Sequence, residues 1–409
     1  NLTGSVIVGR FLGKEALAAV SASFFIYYFI ISLAIGVGSG ITVVVSQRFG
    51  ARDHAAVRRA FSSFLLFAIV AGAVLSVVGV VGADAFFRLT RTPPEVMPYA
   101  LRYFRVYAAG TLFFILFYSA LSILRGIGDS VRPMHFVLAT AVLNIAFDLL
   151  FILVFRWDIE GAAAATVLAQ ACGVALVIRR IRRHELLSLR HRDLVFDRPL
   201  FFQGVRIGIP TGVQQCAIAI GLVALLGIVN GFGADTLTAY GAAGKIDSFI
   251  VQIILTLSGA LSAFCGQNIG AGRFDRVHAG VRFAMLFNVC LCLVVLAAIL
   301  TFGRQMMGAF TEDADVMAIG QEYLTILGAV LVFHGALSIL NGAMRGAGDT
   351  FFAMVTGIVS FWLIRIPLAT LFSRAWGRVG IWWAIAASIT LAFIATLIYY
   401  RTGRWKRRL

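Results

Sequence analysis

The stretch "RGIGDS", residues 125–130, returns as "RGAGDT" at 345–350. The same offset of 220 positions links "QRFGARD" (47–53) to "QNIGAGR" (267–273), Tyr103 to Tyr323 and Met134 to Met354. Self-similarity at one fixed spacing marks a duplicated architecture. Around these motifs run eleven apolar segments, at roughly 16–46, 57–83, 99–123, 133–155, 160–180, 203–231, 236–266, 277–301, 318–343, 351–373 and 379–401. A short apolar stub, residues 1–9, precedes them. The repeat places the counterpart of the segment opening near residue 203 at about position −17, so about twenty residues of a first helix are expected upstream. The expected fold is an all-α integral membrane protein with twelve helices, its first helix truncated in this chain. These helices form two six-helix lobes of the same membrane orientation, residues 1–196 and 197–409, a parallel internal repeat. Such repeats typify secondary transporters with a site between the lobes.

Composition agrees. Of 409 residues, 60% are hydrophobic and only 13% are charged, too few charges to cover a soluble surface. The mean hydropathy is +0.92. Gly, Ser and Asn interrupt the apolar runs, as in helical bundles where small residues let helices approach. The alternating short segments of a membrane barrel are absent. The net charge of +16 follows topology rather than nucleic-acid binding. "RFGARDHAAVRR", "RGIGDSVRP", the 179–206 loop, "AGRFDRVHAGVR" and the tail "RTGRWKRRL" are Arg-rich and expected in the cytoplasm, as are both termini. "FRWDIEG" and "TEDADVM" are acidic and expected outside. The loops holding Arg10/Lys14 and Arg374/Arg378 fit this alternation less well. The five cysteines all fall in apolar segments without metal-ligand spacing and read as buried thiols.

In each "RGxGD" motif, two glycines allow a tight turn, and Asp129 or Asp349 can cap the next helix. "GVGSG" (36–40) reads as a close-packing or bending element. No nucleophile–base pair or HExxH helix appears, so the chain does not read as an enzyme. Chemistry concentrates instead in "LNIAFDLLFI" (143–152). Asn144 and Asp148 are four apart and share a helix face. A charge near a bilayer centre costs roughly 2.5–3.5 kcal/mol on insertion scales, so such a residue calls for a function or a partner. Desolvation penalises the charged form of a carboxylate, and a group titrating near neutrality can load a proton on one side and release it on the other. Asn144 is placed to hydrogen-bond either protonation state. The bland alternative is an Asp held by Asn or by backbone. Lys245 and Asp247 on the eighth helix, Arg365 on the eleventh and His334 on the tenth are secondary candidates. The three charged residues can also neutralise one another across the second lobe. The run "FFIYYF" (24–29) either lines a cavity for flat cations or simply packs.

"NLTGSVIVGRFLGKEALAAVSASF", "SQRFGARD", "LSILRGIGDSVRPM" and "LNIAFDLLFI" in the first half resemble the multidrug and toxic compound extrusion (MATE) family, closest to its prokaryotic DinF-like branch. "RIGIPTGVQQ", "GQNIGAGR", "ILNGAMRGAGDT" and "FWLIRIP" extend the resemblance over the second half. It implies two six-helix bundles in a V, exporting organic, often cationic or amphipathic, compounds by alternating access in antiport with protons or sodium. In the DinF-like branch, coupling rests on an Asp of the first helix, an Asn and Asp four apart on the fifth, and a Thr of the sixth. Asn144, Asp148 and Thr166 match the last three, while the first-helix Asp falls at Gly4, a departure from the pattern. The sodium-linked branch carries a Glu on the seventh helix, and residues 203–231 contain no acid. That branch also carries an Asp eleven residues before the Arg of the tenth-helix motif, where this chain has His334. The resemblance thus implies a monomer of the bacterial inner membrane, driven by an ion gradient without a bound cofactor or metal. The alternative is a lipid-linked precursor flippase of the same superfamily. A membrane enzyme or receptor is a more distant reading, because neither needs duplicated lobes.

Overall fold

The computed structural model describes residues 2–90, 92–187 and 194–408; for residues 2–6, 14, 25, 26, 407 and 408 it describes the backbone alone. Part of the Arg-rich 179–206 loop (188–193) therefore lies outside the described residues, and so do the surroundings of Gly4. The described chain is helical and contains no strand. In lipid every backbone N–H and C=O must be satisfied within the chain, which long apolar segments achieve as helices.

The chain divides into two compact units, residues 1–208 and 209–409. The first contains α1 (Leu2–Phe11), α2 (Lys14–Gly50), α3 (His54–Leu89), α4 (Met97–Ala109), α5 (Thr111–Gly126), α6 (Val131–Leu149) and α7 (Ile159–Arg182). The boundary falls within α8 (Arg198–Asn230). The second unit continues with α9 (Ala234–Gly270), α10 (Phe274–Gly308), α11 (Ala314–Gly346), α12 (Phe351–Ile358), α13 (Ile366–Trp376) and α14 (Arg378–Arg401). Both ends of α2 map onto both ends of α9 at the 220-residue offset, so the duplication read from short motifs extends to whole helices. Ten described helices or helix runs are long and apolar enough to cross a membrane, and α4 with α5 makes an eleventh span bent by 45°. The ten-residue α1 answers the last turns of α8 in the repeat.

That bend was not expected, since residues 99–123 read as one continuous apolar segment. The break falls at Gly110, where a Cβ would meet Val167 Cγ2 at 2.1 Å. The close approach of α7 is a long-range packing fact with no local sequence mark. The corresponding stretch of α11 is unbroken.

Both "RGxGD" motifs fold as turns for the expected reason. Gly128 (φ 91°) and Gly348 (φ 85°) occupy the left-handed region, while a Cβ at Gly126 or Gly346 would press on Val45 or on the Ser262 carbonyl. Asp129 caps α6, accepting from Arg132 N at 3.2 Å and pairing with its guanidinium at 2.8 Å. Its counterpart Asp349 is fully buried and accepts a hydrogen bond from the Tyr399 hydroxyl at 2.6 Å.

Each unit packs small residues and aliphatics between helices. Near the "RGxGD" turn, Ile41, Val45, Phe64, Leu121 and Leu124 form the first unit's core, and Ile339, Leu340, Met344 and Trp405 lie in that of the second. Lipid is as apolar as these side chains, so close packing rather than solvent exclusion holds the helices together. The outer faces are correspondingly greasy. Val70, Val74, Val77 and Val81 of α3 and Val131, Leu138 and Val142 of α6 are all exposed. Cys265 and Cys292 are buried, while Cys290, on another face of the same helix as Cys292, is exposed toward lipid rather than packed.

The basic tail is not a free charged run. It closes as a short 3₁₀ turn, Arg404–Arg408, with Trp405 fully buried. The indole donates to the Tyr400 carbonyl at 3.0 Å and stacks on the Tyr400 ring at 5.1 Å. Lys406 Nζ reaches His278 Nε2 at 3.0 Å, tying the tail to α10. Trp405→Ala should cost about 3 kcal/mol locally, by the usual loss for a buried Trp. Limited trypsin digestion should then cut at Arg404 or Lys406 well before any other site, whereas equal cutting of parent and variant would contradict the docking.

Candidate functional site

Asp148 sits in the last turn of α6, just before a π-helical turn over Leu150–Val154. Single π turns re-aim side chains and often adjoin functional positions. Asp148 is only 2% exposed, and its carboxylate makes no hydrogen bond or ion pair among the described residues. It lines a small cavity of about 60 Å³. Asn144 and Thr166 share that cavity, with Tyr27, Tyr103 and Tyr107 forming an aromatic wall. The Tyr27 and Tyr107 rings meet edge-on at 4.3 Å, and Tyr103 stacks on Tyr107 at 6.0 Å.

The three residues singled out together, Asn144, Asp148 and Thr166, thus converge on one chamber from α6 and α7. Their connections differ from the expectation. Asn144 Nδ2 donates to Thr166 Oγ1 at 3.2 Å, and Thr166 in turn donates to the Ala162 carbonyl at 3.2 Å. This chain locks Asn144 to the neighbouring helix and leaves Asp148 open to whatever occupies the cavity. An unpaired carboxylate in a membrane bundle is costly unless it meets water, a proton or a cation. Of the "FFIYYF" run, Phe24 and Tyr27 line the chamber, while Phe29 is exposed. Residues 25 and 26 have side chains outside the described set. Tyr103 and Tyr107 had gone unassigned. Their spacing of four on one helix face was the available signal.

The secondary candidates all lie in the second unit. Arg365 ends a π-helical turn, Val359–Arg365, that joins α12 to α13. Asp247 and His334 each fall within electrostatic reach of Arg365, but Lys245 is exposed and its ammonium lies over the Phe310 ring at 5.7 Å. The expected mutual neutralisation does not occur as ion pairing, since no Lys or Arg of this set lies within 4.0 Å of Asp247 among the described residues. No metal-binding group of His, Cys, Asp or Glu occurs among the described residues.

The sequence profile of the MatE family matches residues 1–150 and 210–371. The chain belongs to the MatE family, a family of multidrug efflux transporters. The probable multidrug resistance protein YpnP of Bacillus subtilis is 30% identical over 404 residues, covering 98% of this chain and 90% of that protein. Another B. subtilis protein, the probable multidrug resistance protein YoeA, is 29% identical over 417 residues, covering 100% of this chain and 90% of the relative. The MatE fold is also evident in solved structures. An outward-facing conformation of a multidrug resistance MATE family transporter of the MOP superfamily superposes with a TM-score of 0.93 at 24% identity, covering 100% of this chain and 92% of that one. This MatE chain is accordingly a multi-pass membrane transporter.

Proposed function

We propose that the protein exports organic, cationic or amphipathic compounds from the cytoplasm across the bacterial inner membrane, as a monomer, in antiport with protons. Alternating access of the two lobes carries the compound outward, and an ion gradient rather than a bound cofactor supplies the energy. Both termini and the Arg-rich loops face the cytoplasm. The observation that supports this reading is the Asp148 carboxylate, buried in an aromatic chamber with no ion partner among the described residues. Such a group can hold either a proton or a cationic substrate, and exclusive occupancy is what antiport needs. Tyr27, Tyr103 and Tyr107 present faces and edges suited to flat cations. Asn144 and Thr166 hold the chamber's wall in register.

Inverted vesicles containing the full-length protein, supplied with a cationic dye in the outer medium and energised separately by pH and sodium gradients, test the reading. Dye accumulation is expected with the pH gradient alone. Accumulation with sodium alone would reassign the ion, and accumulation with neither would reject antiport.

A further inference from the structure

Residues 283–302 of α10 carry no charged side chain, and Arg282 and Arg304 bracket them. At 1.5 Å per residue that stretch spans about 30 Å, the thickness of a bilayer's hydrocarbon core. Arg282 therefore stands at the level of the lipid headgroups. Leu286, Val289 and Leu293 follow it at helical spacing, so the four side chains form one stripe along the helix. All four are exposed, a guanidinium at the head of an apolar track. Arg282 makes no hydrogen bond or ion pair among the described residues.

A second cation is held beside it. Lys406 Nζ donates to His278 Nε2 at 3.0 Å and lies over the rings of Trp405 at 5.4 Å and Phe274 at 5.9 Å. Trp405 is fully buried, which anchors the backbone from which the ammonium reaches out. His278 sits one turn before Arg282 on α10, within electrostatic reach of its guanidinium. None of these contacts supplies a negative charge. Asp275, the acid closest in sequence, stands 3.7 Å from Arg273 instead. The duplication does not repeat the arrangement. Arg282 answers Ser62, which is fully buried, and Lys406 answers Leu186.

We propose that Arg282, Lys406 and His278 form a binding site for one anionic phospholipid. The phosphate is held between the guanidinium and the ammonium, both of them donors suited to its oxygens. An acyl chain runs down the track of Leu286, Val289 and Leu293. Depth selects a lipid over a soluble phosphate, because only a molecule with an apolar tail also covers the track below the charges. A zwitterionic phospholipid brings its own cation to the same place and gains less from two fixed positive charges. The docked tail then has a purpose beyond packing, since it presents Lys406 to the membrane surface.

Photo-crosslinking locates such a lipid directly and needs no ion gradient, so its outcome is independent of the coupling reading above. The full-length protein is reconstituted in phosphatidylcholine vesicles with a trace of probe, and labelled peptides are mapped by mass spectrometry. The probes are phosphatidylglycerol and phosphatidylcholine, each with a diazirine midway along one acyl chain. Labelling within residues 283–293 is expected to be at least about five-fold greater with the phosphatidylglycerol probe. Arg282→Gln should bring it down to the phosphatidylcholine level, while Arg282→Lys, which keeps the charge, should retain more than half. Lys406→Gln should lower it about three-fold and decides the matter if Arg282→Gln fails to fold. Excess unlabelled phosphatidylglycerol should compete, and excess glycerol 3-phosphate should not. Equal labelling by the two probes would reduce the contact to ordinary solvation by lipid and overturn the proposal. Parental labelling of folded Arg282→Gln would overturn it as well. Competition by glycerol 3-phosphate would name a soluble phosphate as the occupant, against the lipid.

Discussion

Asp148→Asn is expected to cut pH-driven dye efflux by about a hundred-fold or more, while the dye still binds. Asparagine keeps the shape of the protonated acid and its hydrogen-bonding capacity, but it has no proton to exchange. Asp148 borders the chamber with Asn144 and Thr166, and those two are already engaged with each other at 3.2 Å. Among the described residues no other acid lines that cavity, so none of them can take over the exchange. His334→Gln, in the other unit, should lower transport only in part. Initial efflux rates against imposed pH gradients, in vesicles with matched protein levels, distinguish the two. Parental rates from Asp148→Asn would remove Asp148 from the coupling step, and loss confined to His334→Gln would move coupling to the second unit.

Gly40→Val should have the largest effect on stability. A Cβ at Gly40 would lie 2.1 Å from the Gly204 carbonyl oxygen and 2.9 Å from its carbon, backbone atoms that cannot swing aside as a side chain would. Gly36 and Gly208 make a similar approach, 2.6 Å between the Gly36 oxygen and a Cβ at Gly208. The "GVGSG" motif is therefore a contact surface between α2 and the start of α8, as its small residues suggested. Overpacking of this kind costs about 3 kcal/mol or more where neither wall can yield. Gly259→Ala in α9 meets nothing within 4 Å and provides the contrast, a gain of about 0.5 kcal/mol from reduced chain freedom. Thermal unfolding in detergent, read by size-exclusion yield, should rank Gly259→Ala at or above the parent and Gly40→Val far below it. Equal stability of the two variants would contradict the close crossing.

The architecture was legible because duplication leaves its mark in residue order. Motifs such as "RGIGDS" and "RGAGDT" preserve turn glycines, and Gly128 and Gly348 do adopt positive φ. Asp148 and Asn144 were legible because a polar pair at helical spacing stands out against an apolar run. The aromatic wall was not, since a tyrosine facing a cavity and one facing a neighbouring helix look alike in a membrane span. The bend at Gly110 and the π turns at 150–154 and 359–365 were hidden for another reason. They change hydrogen-bond register or depend on distant contacts such as Val167, without altering composition. The setting of Arg365 was hidden likewise, since Ser388, its hydrogen-bond partner, is 23 residues away and meets it only in the folded unit.

The account rests on competition between proton and substrate at Asp148, and proton release on binding measures that directly. The purified protein, in weakly buffered detergent with a pH indicator, is mixed with a cationic dye substrate across a range of pH around neutrality. If binding of the cation displaces the proton, the parent should release about one proton per bound dye within some part of that range, by linkage. Asp148→Asn should bind dye and release none. Equal proton release from parent and variant, or dye binding by the parent with no release at any pH, would contradict it.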